Sequence, residues 1–412
     1  MIMRVLLISS FPPSIHNIGV PSALPFYLSQ NKPQGVDLDL LYFQGFEEKK
    51  EFYEPYFKGL FSKTLKVKLT SKLIYFPLRI IQKIRFLNLL SGVSLHHLPT
   101  LKTLLFIKKN NYDLIWIYPS NLFLWSLFLG KKKIVMTGPD CTVLVHNLIS
   151  DYYKKNSQKV NKELIIDNKI RLKESLILEK NWLNSKSLIH VVGEDDRKQY
   201  NKIQKSENVF FSPHPYYEFN VVKKRIDQVE GKLTILVSGE NQSIYIGNFW
   251  DEITKVLIEN KKLSEHYKFV IIGKNFQNSV NELINAGYEV EYFQWVESYE
   301  EILSSAQIQI FPIVLGTGTK GKVLCAFASG LYCIGTSFAF ENIEIDKKNN
   351  LGQIDIQDSD KIISILLDII SDKTKYSMLA LEHSEQVRFK HSPMRTGRLF
   401  WDKVVSFSKE KH

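Results

Sequence analysis

The stretch "GTGTKGKVLCAFASG", residues 316–330, joins a glycine-rich turn to a helix-forming run. Gly316 and Gly318 allow a tight backbone turn. Thr317 or Thr319 can cap the helix that follows, and Lys320 and Lys322 fall in its first turn. Backbone N–H groups and ammonium groups gathered there favour an anion, so the stretch predicts a phosphate cradle. A second chemistry lies in "KIVMTGPDCTVLVHN", where Asp140 follows an apolar run and a Gly–Pro turn. A carboxylate so placed serves either as a general base or as the cap of the next helix. His146, six residues on, can share its site or be a packing histidine. Glu194, Asp195 and Asp196 in "GEDDRKQ" read as an acidic first helical turn rather than a metal site. No metal is expected.

These groups need a scaffold, and the chain supplies a regular one. Short apolar runs alternate with helical patterns, which marks βαβ units and parallel sheets. In the first half the strands are "RVLLISS", "LDLLYF", "DLIWIY", "KIVMTG" and "SLIHVVG", with helices near 22–30, 98–110 and 169–184. The prolines of "FFSPHPYYEF" (210–219) break that rhythm, and "GKLTILVSGENQS" (231–243) restarts it. At 412 residues the chain is too long for one ordinary core. The expected fold is α/β, with two Rossmann-like doubly wound domains, 1–218 and 219–392, facing a central cleft. A tail helix at 393–412 is expected to return to the first domain.

Composition is that of a globular protein, with 44% hydrophobic and 24% charged residues. Cys141, Cys325 and Cys333 form no CxxC or histidine cluster, so neither a disulfide framework nor a structural zinc site is indicated, and a reducing cytoplasm is the simple reading. The apolar run at the N-terminus is too short for a signal peptide. Residues 114–130 are broken by Pro119, Ser120 and Asn121, and read as strand–loop–helix rather than a membrane span. The formal charge of +11 is matched by residues 55–112, which hold eleven Lys or Arg and no Asp or Glu. Within it "KLIYFPLRIIQKIRFLNLL" sets Lys72, Arg79, Lys83 and Arg85 among apolar residues. A basic amphipathic element of this kind suits an anionic membrane surface, and no nucleic-acid-reading motif accompanies it.

Nearly the whole chain resembles the GT-B glycosyltransferases of the family-4 type. "RVLLISSFPP" with "HNIGVPSALPFYLSQ" resembles their opening strand, glycine loop and helix; "ILVSGENQSIYIGNFWDEI" resembles the first unit of their donor domain. The most specific block is "VESYEEILSSAQIQIFPIVLGTGTKGKVLCAFASGLYCIGTSFAFENI". The resemblance implies a nucleotide-diphosphate sugar as donor, with no cofactor, and a lipid-linked or saccharide acceptor held by the first domain. It implies a diphosphate near Gly318, Thr319 and Lys320, and a base pocket near Trp295 and Val296. Gly239, Glu240 and Asn241 would contact phosphate or sugar, with Gly273 and Lys274 bordering the same pocket. Gly19 and His146 would lie on the acceptor side. Many relatives carry an E-x7-E pair, and here those positions are Thr317 and Cys325, the latter on the ribose side. The expected activity is sugar transfer in surface polysaccharide or glycolipid synthesis, at the inner face of the cytoplasmic membrane. The alternative is a catalytically degenerate sugar-nucleotide or glycan-binding subunit, which the missing glutamates favour.

Overall fold

The computed structural model describes residues 2–15, 22–44, 57, 59–84, 93–138, 140–155, 161–221, 224–346 and 352–410. Gly19 and Arg85 lie outside the described residues, as does the side chain of Lys83. The chain divides into two compact units, Met1–His214 with Pro393–His412, and Pro215–Ser392.

In the first unit seven parallel strands run β1 (Met3–Ser9), β2 (Val36–Gln44), β3 (Thr64–Lys68), β4 (Leu114–Tyr118), β5 (Lys133–Thr137), β6 (Leu188–Val191) and β7 (Val209–Phe211). Their spatial order is β3-β2-β1-β4-β5-β6-β7. Helices α1 (Ala23–Gln30), α2 (Lys72–Ile84), α3 (Leu101–Asn110), α4 (Thr142–Lys155), α5 (Lys162–Asn184) and α6 (Glu194–Ile203) connect them. The central strands are apolar without interruption because both faces are covered. Side chains alternate between two cores: Leu6, Ile8, Ile115 and Ile117 join one, Val5, Leu7, Trp116 and Tyr118 the other. β3, "TLKVK", is an edge strand that no apolar run announces, and Lys66 and Lys68 on it discourage pairing with another chain.

The second unit repeats the plan with β8 (Leu233–Glu240), β9 (Tyr267–Lys274), β10 (Glu289–Phe293), β11 (Ile308–Phe311), β12 (Tyr332–Thr336) and β13 (Gln353–Ile354), in the order β10-β9-β8-β11-β12-β13. Its helices are α7 (Phe249–Glu259), α8 (Gln277–Asn285), α9 (Tyr299–Ser305), α10 (Gly321–Ala328), α11 (Lys361–Ser371) and α12 (Lys373–Lys390). In each sheet the order reverses beside the first strand, and ligands of doubly wound sheets bind at the carboxyl ends of the strands flanking that point. Here those strands are β1 and β4, and β8 and β11.

The last helix, α13 (Pro393–Lys409), belongs to the first unit. Phe400, Trp401, Val404 and Phe407 join the core containing Trp116, and the Trp401 indole donates to the Leu28 carbonyl at 2.7 Å. Lys133 Nζ donates to the carbonyls of Phe407 and Ser408 at 2.9 and 2.7 Å, closing the helix end with a cation. Residues 114–130 form β4 and a 3-10 segment, Ser120–Phe128, and no described helix is long and apolar enough to cross a membrane.

Candidate active site

The switch point of the second unit is built from β8, β11 and the loop leading into α10. Ser238 lies near the end of β8, and its hydroxyl is 3.1 Å from the Tyr299 hydroxyl. The Gln309 amide of β11 donates to both, at 3.1 and 2.9 Å. Burial pushes the Tyr299 hydroxyl up to about 12, so this buried network stays neutral. The turn after β8 is joined to the glycine loop by main chain: the Val314 N–H donates to the Tyr245 carbonyl at 2.7 Å. On the other side the Thr336 hydroxyl donates to the Ile313 carbonyl.

Two lysines flank the N-terminus of α10, and the structure treats them differently. Lys322 Nζ donates to the Ser238 carbonyl at 2.9 Å, and a β-carbon on Gly239 would lie 3.5 Å from it. Burial pulls this ammonium down to about 8. Among the described residues it meets a carbonyl and no carboxylate. Lys320, the N-cap, donates to the Gly318 carbonyl at 3.0 Å and pairs with Glu341 at 2.5 Å. Of the two, Lys320 is balanced by a carboxylate and Lys322 has a carbonyl as its partner. Both lysines fall at the helix start that the sequence predicts, and nothing in the sequence signals Glu341.

The other expected donor residues are spread around this point. Gly239 and Gly273 face each other across β8 and β9. Gly318 is buried at a positive φ of 67°, with Thr319 half-buried after it. Glu240 and Lys274 are exposed at the ends of their strands. Asn241 is buried, its amide donating to Asp251 at 2.8 Å and its oxygen accepting the Gln242 N–H at 3.0 Å, so its side chain is used inside the turn. Trp295 is 76% exposed and Val296 half-buried, beyond edge strand β10, with β9 between that strand and β8. Cys325 departs from expectation. It is fully buried, its thiol pushed up to about 12 by burial while it meets the main chain of Tyr217. It offers a ribose no accessible atom; its role is packing.

In the first unit Asp140 is exposed between β5 and α4. Two other acids occupy the start of α4. The Cys141 N–H donates to Asp196 at 2.7 Å, and Glu179 accepts from the Thr142 hydroxyl at 2.7 Å and the Val143 N–H at 3.2 Å. Glu179 comes from α5, and burial raises its carboxyl above the usual range. Of the "GEDD" acids, Glu194 pairs with Arg197 at 2.6 Å and Asp195 with Lys198 at 2.8 Å. No group of three His, Cys, Asp or Glu among the described residues is placed to hold a metal ion. His146 shares a hydrogen bond of 2.8 Å with Asn168, joining α4 to α5, which is the structural reading of that histidine.

Residues 240–372 match the family model described as "Glycosyl transferases group 1". The second unit carries a group 1 glycosyltransferase domain. Its matched segment runs from the end of β8 to α11 and contains the glycine loop, both lysines and Glu341. Solved structures agree with the GT-B fold over nearly the whole chain. Sucrose-phosphate synthase from Thermosynechococcus elongatus superposes with a TM-score of 0.65 at 13% identity, over 98% of this chain and 100% of that one. HepE from Anabaena, solved with UDP and glucose, gives 0.62 at 11%, over 98% and 100%. WaaG, a glycosyltransferase involved in lipopolysaccharide biosynthesis, gives 0.59 at 11%, over 97% and 99%. No curated protein matches by sequence. Glycosyltransferase domain and GT-B fold together are those of a glycosyltransferase enzyme.

Proposed function

We propose that this glycosyltransferase moves a sugar from a nucleoside-diphosphate donor held by the second unit to an acceptor held by the first. The observation that carries the reading is the Lys322 ammonium, desolvated beside Gly239 at the switch point. A diphosphate there meets Lys322 and the N-terminus of α10, which stabilise the charge that grows as the sugar–phosphate bond breaks. Asp140 takes the proton of the acceptor hydroxyl as its oxygen bonds to the sugar carbon. These groups come from the chain itself, and the proposed transfer assigns no step to a metal or cofactor.

The acceptor we propose is lipid-linked, used in surface polysaccharide or glycolipid synthesis at the inner face of the cytoplasmic membrane. Support comes from α2, which exposes Leu73, Ile74, Phe76 and Ile80 together with Lys72 and Arg79. A solved relative in fold, WaaG, is described as acting in lipopolysaccharide biosynthesis. The buried Cys325 and the neutral Thr317 favour one other reading, a sugar-nucleotide-binding subunit without turnover. The test is calorimetric binding of uridine, guanosine and adenosine diphosphates and their sugars, followed by donor turnover with a lipid-linked acceptor. Binding without turnover gives the second reading; no binding by any of them sinks both.

A further inference from the structure

Resting on that donor reading, we infer that Glu341 and Lys320 together read the transferred sugar, the Glu341 carboxylate accepting hydrogen bonds from sugar hydroxyls beside the glycine loop.

The argument begins with what a sugar needs. Its hydroxyls both donate and accept, and fixing their pattern calls for an acceptor of high capacity near a donor. A carboxylate offers two oxygens with about four lone-pair sites, and its hydrogen bonds are roughly twice as strong as neutral ones. The glycine loop and α10 supply no such group: residue 317 is threonine and Cys325 is sealed in the core.

The structure brings the acid from elsewhere in the sequence. Glu341 follows β12 in a turn fixed to the glycine loop: Thr336 donates to the Ile313 carbonyl and its hydroxyl accepts the Ala339 N–H at 3.2 Å. That anchoring sets the carboxylate 2.5 Å from Lys320 Nζ, which also donates to the Gly318 carbonyl at 3.0 Å. Side-chain exposure is 12% for Lys320 and 17% for Glu341, enough to meet a ligand while holding a single arrangement. A pre-fixed pair of opposite charges discriminates hydroxyl patterns without first having to be ordered.

Charge separates the tasks. Lys320 is balanced by Glu341 and adds little net attraction for a diphosphate. Lys322, whose partner is a carbonyl, keeps its charge for that group. The anion and the sugar are thereby recognised by different lysines, two residues apart.

Calorimetry on wild type, Glu341→Gln and Lys320→Met, using UDP and the UDP-linked epimers of glucose and galactose, tests this. In Glu341→Gln, UDP affinity should hold or rise, because Lys320 gains free charge. The extra affinity of the preferred UDP-sugar over UDP should fall tenfold or more, and the preference between epimers should collapse. Lys320→Met should likewise lose the preference while keeping UDP. Glu341→Asp, which retains the charge on a shorter stem, should keep part of the preference, and it is the second variant to read if Glu341→Gln disturbs folding. A variant that melts normally and preserves the epimer preference overturns the inference. So does parallel loss of UDP and UDP-sugar affinity, the mark of a merely structural residue. Failure of the wild type to bind any nucleoside diphosphate removes the donor reading first, and is a distinct outcome.

Discussion

A β-carbon on Gly273 would lie 1.6 Å from the carbonyl oxygen of Gly239. The two residues face each other in register at the ends of β9 and β8, and Gly273 has a φ of +128°. Sterics and backbone conformation both demand glycine there. Gly273→Ala should therefore push the strand ends apart and cost more than about 2 kcal/mol. Gly287 makes the control: its φ is also positive, at +95°, but the nearest atom to an added β-carbon is Ser264 Oγ at 3.5 Å. Alanine there should cost about 1 kcal/mol, the conformational term alone. Urea denaturation of both variants checks this, and equal losses would remove the steric argument.

Lys322 gives the donor site a pH signature. Its ammonium is pulled down to about 8 by burial, so it is charged below that pH and increasingly neutral above it. A diphosphate binds the charged form. Nucleoside-diphosphate affinity should be level between about pH 7 and 8, where the ligand's own terminal phosphate is already ionised, and fall by up to about tenfold per unit above it. Lys322→Arg, which stays charged, should flatten the profile. Lys322→Ala should weaken binding about 10- to 100-fold at pH 7, the range of a charged hydrogen bond. Identical profiles for wild type and the arginine variant would place the diphosphate elsewhere.

How much of this was open to sequence reading depended on which force placed each residue. β1, β4, β8, β9 and β11 announce themselves because burial on both faces demands unbroken apolar runs. β3 did not, since an edge strand needs only one apolar side and here alternates lysines with Leu65 and Val67. The glycine loop was legible because tight turns and helix starts have local chemistry. Its electrostatics were not. Lys320 and Lys322 look alike in the sequence, and only the turn bearing Glu341 tells them apart. The packing role of Cys325 does not show in the sequence because Val323–Ala328 is buried without interruption, which leaves no periodicity to tell which way a side chain points. Asn241 turned inward for a similar reason: its partner Asp251 lies on α7 and the intervening turn is set by a positive φ at Gln242. Glu179 came from the far side of a helix hairpin, a contact that spacing does not encode.

Asp140 and Asp196 should separate cleanly by mutation. The amide of Cys141 is held by Asp196, and Glu179 takes that of Val143, while Asp140 is exposed. Asp140→Asn should cut transfer by about 100-fold or more with donor affinity and melting temperature nearly unchanged. Asp196→Asn should instead lower stability by about 1–2 kcal/mol through the lost capping charge. Full turnover in Asp140→Asn would exclude it as the base.

α2 predicts a salt-sensitive attachment to lipid. Tyr75 and Leu78 pack inward, Tyr75 stacking on His96 at 4.1 Å, while Leu73 is 88% exposed and Phe76 and Ile80 are 59% exposed. Each cation near an anionic surface contributes about 1 kcal/mol, so Lys72→Glu with Arg79→Glu should weaken partitioning about 30-fold or more. Phe76→Asp should reduce it with little effect on stability, because that ring is already in water. Co-sedimentation with phosphatidylserine-containing vesicles at low and high salt measures both. Equal binding to neutral vesicles would exclude the electrostatic part.

His190 makes the first unit acid-sensitive. Its ring is fully buried among Phe210 and Phe400, with centroids 5.0 and 4.9 Å away, and is bonded to Ser212 at 2.6 Å and Thr137 at 3.2 Å. Burial, helped by neighbouring His214, pulls it down to about 3, whereas the unfolded ring titrates near 6.5. Above pH 6.5 both states are neutral and the residue is silent. As pH falls below 6.5 the unfolded chain takes up a proton that the folded one refuses, and stability drops by up to about 1.4 kcal/mol per unit until the folded ring also titrates. At pH 5 the loss from this residue is about 2 kcal/mol relative to pH 7. His190→Gln removes the titration and should reduce the pH dependence of unfolding by about one proton, even if its stability at pH 7 is lower. Urea melts at pH 7 and 5 give the difference directly. Because Phe400 of α13 packs on this ring, acid should release the C-terminal helix early, read as faster amide exchange across Pro393–Lys409 at pH 5 once corrected for intrinsic rates.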